Sequence, residues 1–449
     1  MAADQPASPQ TSTPYARIDD RISSFVLRRS TPRGWLIGFG IAFMLSLGLF
    51  GAIAYLFYTG VGIWGINIPV GWGFAITNFV WWVGIGHAGT LISAILLLFR
   101  QHWRTSINRF AEAMTLFAVA MAGLFPILHL GRPQYFYWLM PYPNTESMWP
   151  QFRSPLVWDL FAVLTYALVS LIFWFVGLVP DLAAVRDRAK SRFAQIVFGF
   201  LALGWRGSAR HWQRYHQVYF WLAALATPLV ISVHSIVALD FAYGIIPGWH
   251  GTLMPPYFVI GALLSGLAMV LTIAIPLRKF YHLEDLITDR HLDNIAKFIL
   301  AMSLLITLSY ATEIFMAWYS GNQFEEFLVQ NRALGPYAPL YWLMISCNVI
   351  MPLALIFKRV RQRPLFLFII ALLVNVGMWT ERFVIVVVSL SADFLPSSWG
   401  IFVPTVWDIV MLFGSVGLFA ALIFLFIRFL PVISISEVQE EAAQSAEGA

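Results

Sequence analysis

Residues 109–138 read RFAEAMTLFAVAMAGLFPILHLGRPQYFYW. Between Phe110 and Leu128 nearly every side chain is apolar, and a helix of that length spans a hydrocarbon layer about 30 Å thick. The run closes on a proline, His129, Arg132, a second proline and the aromatic residues Tyr135, Phe136, Tyr137 and Trp138. Asp159 then sits inside the next apolar run, PLVWDLF. An imidazole and a carboxylate are costly in lipid, so groups placed at such a boundary are expected to have either a buried partner or a chemical task.

The pattern repeats along the chain. Of the 449 residues 59% are hydrophobic and 11% charged, with a mean hydropathy of +0.73, where soluble domains carry about 25% charge. This is the composition of an all-α integral membrane protein. Ten runs are long enough to cross, at 35–58, 72–99, 109–130, 155–179, 216–241, 254–278, 294–320, 336–358, 364–390 and 400–429. The stretch 181–215 has a short apolar centre and basic flanks, which fits a helix lying along the membrane surface. The start, MAADQPASPQTSTPYARIDD, has no apolar core and is not a signal peptide; it and EVQEEAAQSAEGA at the other end read as mobile tails. With the N-terminus inside, 24 of the 28 Lys and Arg fall on inner segments, and only Arg132, Arg153 and Arg332 on outer loops. Both termini are therefore expected to be cytoplasmic. Cations spread over short loops serve orientation, not nucleic-acid binding. The single cysteine, Cys347, cannot form an internal disulfide, a cysteine-ligated cluster or a CxxCH haem site.

Ionisable residues within the spans are His87, Glu112, His129, Asp159, His234, Asp240, Glu313, Glu381, Arg382 and Asp408. Most lie toward the outer half, which points to a polar chamber opening outward. Asp159, Tyr166 and Ser170 share one helix face, and Tyr310 precedes Glu313 by three residues. Such stripes serve proton transfer or interhelical hydrogen bonds, and the sequence leaves both open. Glu381–Arg382 reads most simply as a self-neutralising pair, and Asp240 and Asp408 lie near enough to the interface to be solvated. Counting residues from span ends sets His87 and His234 about 12 Å apart in depth, which disfavours a bis-histidine haem. GIGHAG at 84–89 has the GxGxxG spacing, but inside an apolar helix its small residues serve close packing. A histidine and a carboxylate at one face, ringed by aromatics, suit a quinol, whose oxidation needs an acceptor for each hydroxyl proton.

PLVWDL at 155–160 and PLYWLM at 339–344 each open a span. The offset of four spans makes the halves parallel repeats, carrying His129 onto Glu313 and Asp159 onto Leu343. The ten-span layout, GWGFAITNFVWWVGIGHAGTLISAILLLFRQHWRTSINRFAEAMTLFAV at 71–119 and NVGMWTERFVIVVVSLSADFLPSSW at 375–399 resemble the NrfD/polysulfide-reductase type of membrane subunit. Within that type the resemblance is to the C-subunit form of bacterial alternative complex III, with the F-subunit form next to it. It implies four-helix bundles at spans 2–5 and 6–9 with spans 1 and 10 peripheral. The corresponding segments are 1–33 (tail), 34–71, 72–241 (first bundle), 242–390 (second bundle), 391–431 and 432–449 (tail). It also implies a bacterial inner-membrane location and a quinol site, menaquinol by family habit, at the outer end of the first bundle. His129 in ILHLGRP and Asp159 in VWDLF would act on the quinol, with Arg132, Tyr135 and Asp240 around it. Proton routes would draw on His87, Tyr166, Ser170, His234, Tyr310, Glu313, Glu381, Arg382 and Asp408. Electrons would pass to a periplasmic iron–sulfur subunit and on to c-type haem subunits, beside a homologous membrane subunit and other small membrane subunits. A secondary transporter or proton channel, and a purely structural anchor like the F subunit, are the competing readings.

Overall fold

The computed structural model describes residues 14–28, 30–139 and 154–439; Arg153 and parts of both terminal segments lie outside them. Ten helices are long and apolar enough to span a membrane. A first helix, α1 (Pro14–Leu27), precedes α2 (Arg33–Thr59), α3 (Phe74–Leu98), α4 (Asn108–His129) and α5 (Pro155–Arg188). A short α6 (Arg192–Leu201) leads to α7 (Ala209–Ala242), α8 (Met254–Phe280) and α9 (Asp289–Tyr319). Then come a short α10 (Gln323–Leu334), α11 (Ala338–Ile356), α12 (Pro364–Ser391) and α13 (Val406–Phe429). The spans are the expected ten. α5 runs further than hydropathy suggests because its last turns are polar yet still packed, and α7 starts two turns earlier, at Ala209, with the Ser208 hydroxyl capping its first turn. α6 falls within 181–215, where a short helix is expected, and none of its residues is buried.

α3 is the central element and is buried along nearly its whole length. It packs on α4 and α7, and α5 closes the ring by packing on both. α8, α9, α11 and α12 pack together beside this group, with α3 and α7 against α8. α2 pairs with α13 at the periphery. Small residues on α3 set the spacing, as GIGHAG led one to expect. A Cβ on Gly89 would stand 2.1 Å from the Ala111 carbonyl oxygen of α4, and one on Gly266 of α8 1.8 Å from the Ala88 Cβ. The outer faces of α2 and α9 expose large apolar side chains such as Ile37, Met44, Leu308 and Phe315, the solvent-facing pattern of a lipid-embedded helix rather than of a soluble one.

The ends of the chain differ from expectation. α1 packs on α5 and α13 with Ile22 and Val26 buried, and Arg188 pairs with Asp20 at 2.8 Å. Residues 432–439 turn back after Pro431 and bury Val432, Ile433, Ile435 and Val438. Both segments are short and polar enough to read as tails, but each alternates apolar residues toward a groove that the sequence alone does not reveal.

Candidate functional site

Three helices deliver acid–base groups to the end of the first bundle opposite the termini. α4 ends on His129, with Pro126 inside its last turn and Gly131 beyond it in the left-handed region (φ 68°). Only glycine fits there: a Cβ would also lie 2.7 Å from the Val61 side chain. Asp159, one turn into α5, is buried, and its carboxyl hydrogen-bonds that of Asp240 near the end of α7. Two carboxyl groups set against one another are best accommodated when one proton lies between them. Trp158 meets Tyr243 edge-on at 6.2 Å and fixes the same pair of helix ends. His129 is half-buried, and no hydrogen bond joins it to any described residue. Arg132 is exposed, and Tyr135 is half-buried with its ring 6.3 Å from that of Tyr137.

Below this end the polar side chains form a file. His87 Nδ1 and His234 Nδ1 are 2.8 Å apart, so one ring donates to the other. The expected depth difference was wrong: counting from helix ends assumes untilted helices ending at one level. The direct contact arranges the two rings to share a proton, not to flank an iron. Tyr166 lies 4.6 Å from the His87 ring and donates to the Gly86 carbonyl at 2.9 Å. Thr90 donates to Ser170 at 3.3 Å, and its N–H reaches the Thr115 hydroxyl at 2.9 Å. One turn on, Glu112 accepts from Ser93 at 2.5 Å and from Tyr219 at 2.9 Å, and pairs with Arg109 at 3.3 Å. Arg109 also pairs with Asp181 at 3.1 Å and donates to the Gly177 carbonyl at 2.7 Å.

Several of these residues escaped the sequence reading. Arg109 counts there as a loop cation, yet it is wholly buried in α4. Asp181 was missed although a signal existed. Asp159, Tyr166, Ser170, Gly177 and Asp181 follow spacings of 7, 4, 7 and 4 residues, one continuous face of α5. The stripe stops at Ser170 only if the span is ended at 179.

The second bundle holds its own cluster. Tyr310 of α9 donates to Glu381 of α12, and Asn348 of α11 donates to both, at 3.0 and 3.3 Å. Arg382 pairs with Glu381 at 2.7 Å and lies 4.3 Å over the Phe258 ring. Asn348 sits in a π-helical turn at 346–350, and a second such turn follows at 384–388; interruptions of this kind gather at functional positions. Glu313 pairs with Arg332 of α10 at 2.7 Å beside a small cavity lined also by Tyr257, Tyr310 and Tyr341. Leu343, which the repeat aligns with Asp159, is exposed on α11, so this bundle has no counterpart of the aspartate pair there. Asp408 is not solvated. It is buried at the third position of α13 in a capping box with Thr405, accepting from the N–H groups of Thr405 at 2.8 Å and Gly65 at 2.9 Å. These contacts give the buried carboxylate a structural role at the start of α13.

Ten apolar helices around a buried file of polar side chains define a multi-pass membrane protein. The comparisons name the class more narrowly. The chain belongs to the NrfD polysulphide reductase family, whose model matches residues 64–392. It is 26% identical to a Halobacterium salinarum protein described as the putative membrane C subunit of dimethyl sulfoxide reductase, over 93% of this chain and 94% of that one. It is 22% identical to the C subunit of selenate reductase from Mesobacillus selenatarsenatis, over 70% of this chain and 73% of the other.

Proposed function

We propose that this chain is the quinol-oxidising membrane subunit of a multisubunit oxidoreductase in a bacterial inner membrane, with its termini cytoplasmic and its site at the periplasmic end of the first bundle. The observation that carries this reading is the Asp159–Asp240 carboxyl pair at the same bundle end as the half-buried imidazole of His129, which no described residue hydrogen-bonds. A quinol becomes a quinone by losing two electrons and two protons. His129 takes one hydroxyl proton, and the carboxyl pair, which has one proton place vacant, takes the other. Arg132 and Tyr135 edge the headgroup site. The electrons leave to an iron–sulfur cluster in a partner subunit, because this chain contributes a single, buried cysteine.

The polar file from Asp240 through the His87–His234 pair to Glu112 supplies a route by which protons can be moved as well as released. Resemblance over 71–119 and 375–399 supports the C-subunit form of alternative complex III, with menaquinol as donor, c-type haems as acceptors, and a homologous subunit and smaller membrane subunits alongside. A second reading is favoured by the names of the two relatives: a subunit feeding a terminal reductase, which would draw on quinol at the same site.

The test is quinol oxidation by the assembled complex, with cytochrome c, dimethyl sulfoxide or selenate offered as acceptor. Asp159→Asn and His129→Ala are expected to lower turnover about a hundred-fold or more while the complex stays fully assembled. Full turnover in both variants would remove the pair from the mechanism. Turnover with one of the oxoanion or sulfoxide acceptors, and none with cytochrome c, would select the terminal-reductase form.

A further inference from the structure

The segment 432–439, VISISEVQ, is bound to the body by buried charge rather than by apolar contact alone. Asp181 accepts from the N–H groups of Ile435 at 3.0 Å and Ser436 at 3.1 Å, and from the Ser436 hydroxyl at 3.2 Å. Arg109 donates to the Ser434 hydroxyl at 3.0 Å. Glu437 accepts from the Asn108 amide at 2.8 Å and pairs with Arg104 at 3.1 Å. Ser434, Glu437, Arg104, Arg109 and Asp181 are all less than a tenth exposed. Burial works against the Arg104 charge, but the Glu437 carboxylate beside it, together with Tyr219, Glu112 and Tyr215, outweighs burial and lifts the guanidinium above its ordinary range.

These contacts fall on one place. Arg109 and Asp181 are the last members of the polar file, and Arg109 joins them to Glu112. The segment therefore lies across the mouth of the file on the face that carries the termini. Without it, Arg104 loses its carboxylate, Asp181 loses three donors, and the Arg109–Glu112 pair meets water. Buried ions stripped of partners are strongly disfavoured, so the mouth is closed only while the segment is seated. No covalent link holds it there, and Pro431 separates it from the end of α13.

We propose that residues 432–439 are a strap that seals the cytoplasmic mouth of the first-bundle file, and that its release admits water and protons to Glu112. The orientation is the one taken under the proposed function, but closure itself does not depend on quinol chemistry.

The test uses the full chain in its assembled complex, reconstituted into liposomes with a trapped pH indicator and no quinol present. Three forms are compared: the natural chain, a chain ending at Pro431, and Glu437→Gln with Arg104→Gln. In each, Cys347→Ser and Ser93→Cys provide a single thiol beside Glu112 for a small water-soluble thiosulfonate. With the strap seated the thiol is expected to be unreactive and the vesicles tight. The shortened chain should be labelled, and leak protons under an imposed pH gradient, about ten-fold faster or more, with the double Gln variant between. Equal labelling and equal leak in all forms would overturn the proposal. If the shortened chain does not assemble, the double Gln variant alone decides by the same two rates. Quinol turnover, measured separately, fails only if the outer site is misread.

Discussion

Asp159 and Asp240 stand on different helices with their carboxyl groups set against one another, and such a pair acts as one acid–base unit. Asp159→Asn and Asp240→Asn should each lower quinol turnover by about two orders of magnitude. The double variant should fall hardly further, because the second substitution removes a group whose partner is already gone. Turnover of the four forms in the assembled complex measures this; multiplicative losses would show two independent acids. At this scale the sequence makes half the pair plain. Asp159 stands out as a carboxylate within an apolar run, whereas Asp240 looks equally like an interfacial, solvated residue until α7 is set against α5. Asp408 shows the opposite failure. Its capping box with Thr405 is local, the T-x-x-D of TVWD, but what keeps it from water is also the Gly65 N–H, 343 residues away in sequence, and no local pattern carries that contact.

Helices are where the sequence speaks most clearly, since crossing a membrane is a property of local composition and ten spans follow from hydropathy alone. How close the helices approach is a subtler signal, written in glycine. Gly89→Ala places a Cβ 2.1 Å from the Ala111 carbonyl and 2.5 Å from the Thr115 hydroxyl, which also receives the Thr90 N–H. Overpacking of about 1–3 kcal/mol outweighs the roughly 1 kcal/mol that alanine gains in helix propensity, so the variant should melt several degrees lower. Gly51 of α2 has nothing within 4 Å of its Cβ position, and Gly51→Ala should melt no lower than the natural chain. Thermal unfolding of the two variants in one detergent checks the contrast; similar shifts would mean that α3 and α4 can separate freely. The π-helical turns of α11 and α12 are not legible in this way. They arise where buried partners such as Ser303 and Trp249 take up the carbonyls of Asn348 and Ile385, and so belong to the packing rather than to either helix's own sequence.

Taken whole, the molecule brings two polar interiors together at the contact of its bundles. The Phe258 ring lies 5.9 Å from the His234 ring and 4.3 Å from the Arg382 guanidinium, so the histidine pair of one bundle faces the Glu381–Arg382 pair of the other across a single aromatic side chain. The adjacent charges read in sequence as mutual neutralisation, and the 2.7 Å ion pair agrees; the position of that pair at the seam could not be read from either residue. Packing and proton transfer make different demands on it. Arg382→Leu alone strands a buried carboxylate and should cost about 3–5 kcal/mol, whereas joining it to Glu381→Gln removes both charges and should restore most of that stability. Melting temperature and yield of assembled complex report the recovery. Turnover of the recovered double variant then separates the roles. A pair that only neutralises itself leaves quinol oxidation and proton release at the natural rate, while loss of proton movement in a stable complex would place Glu381 on a route through the second bundle.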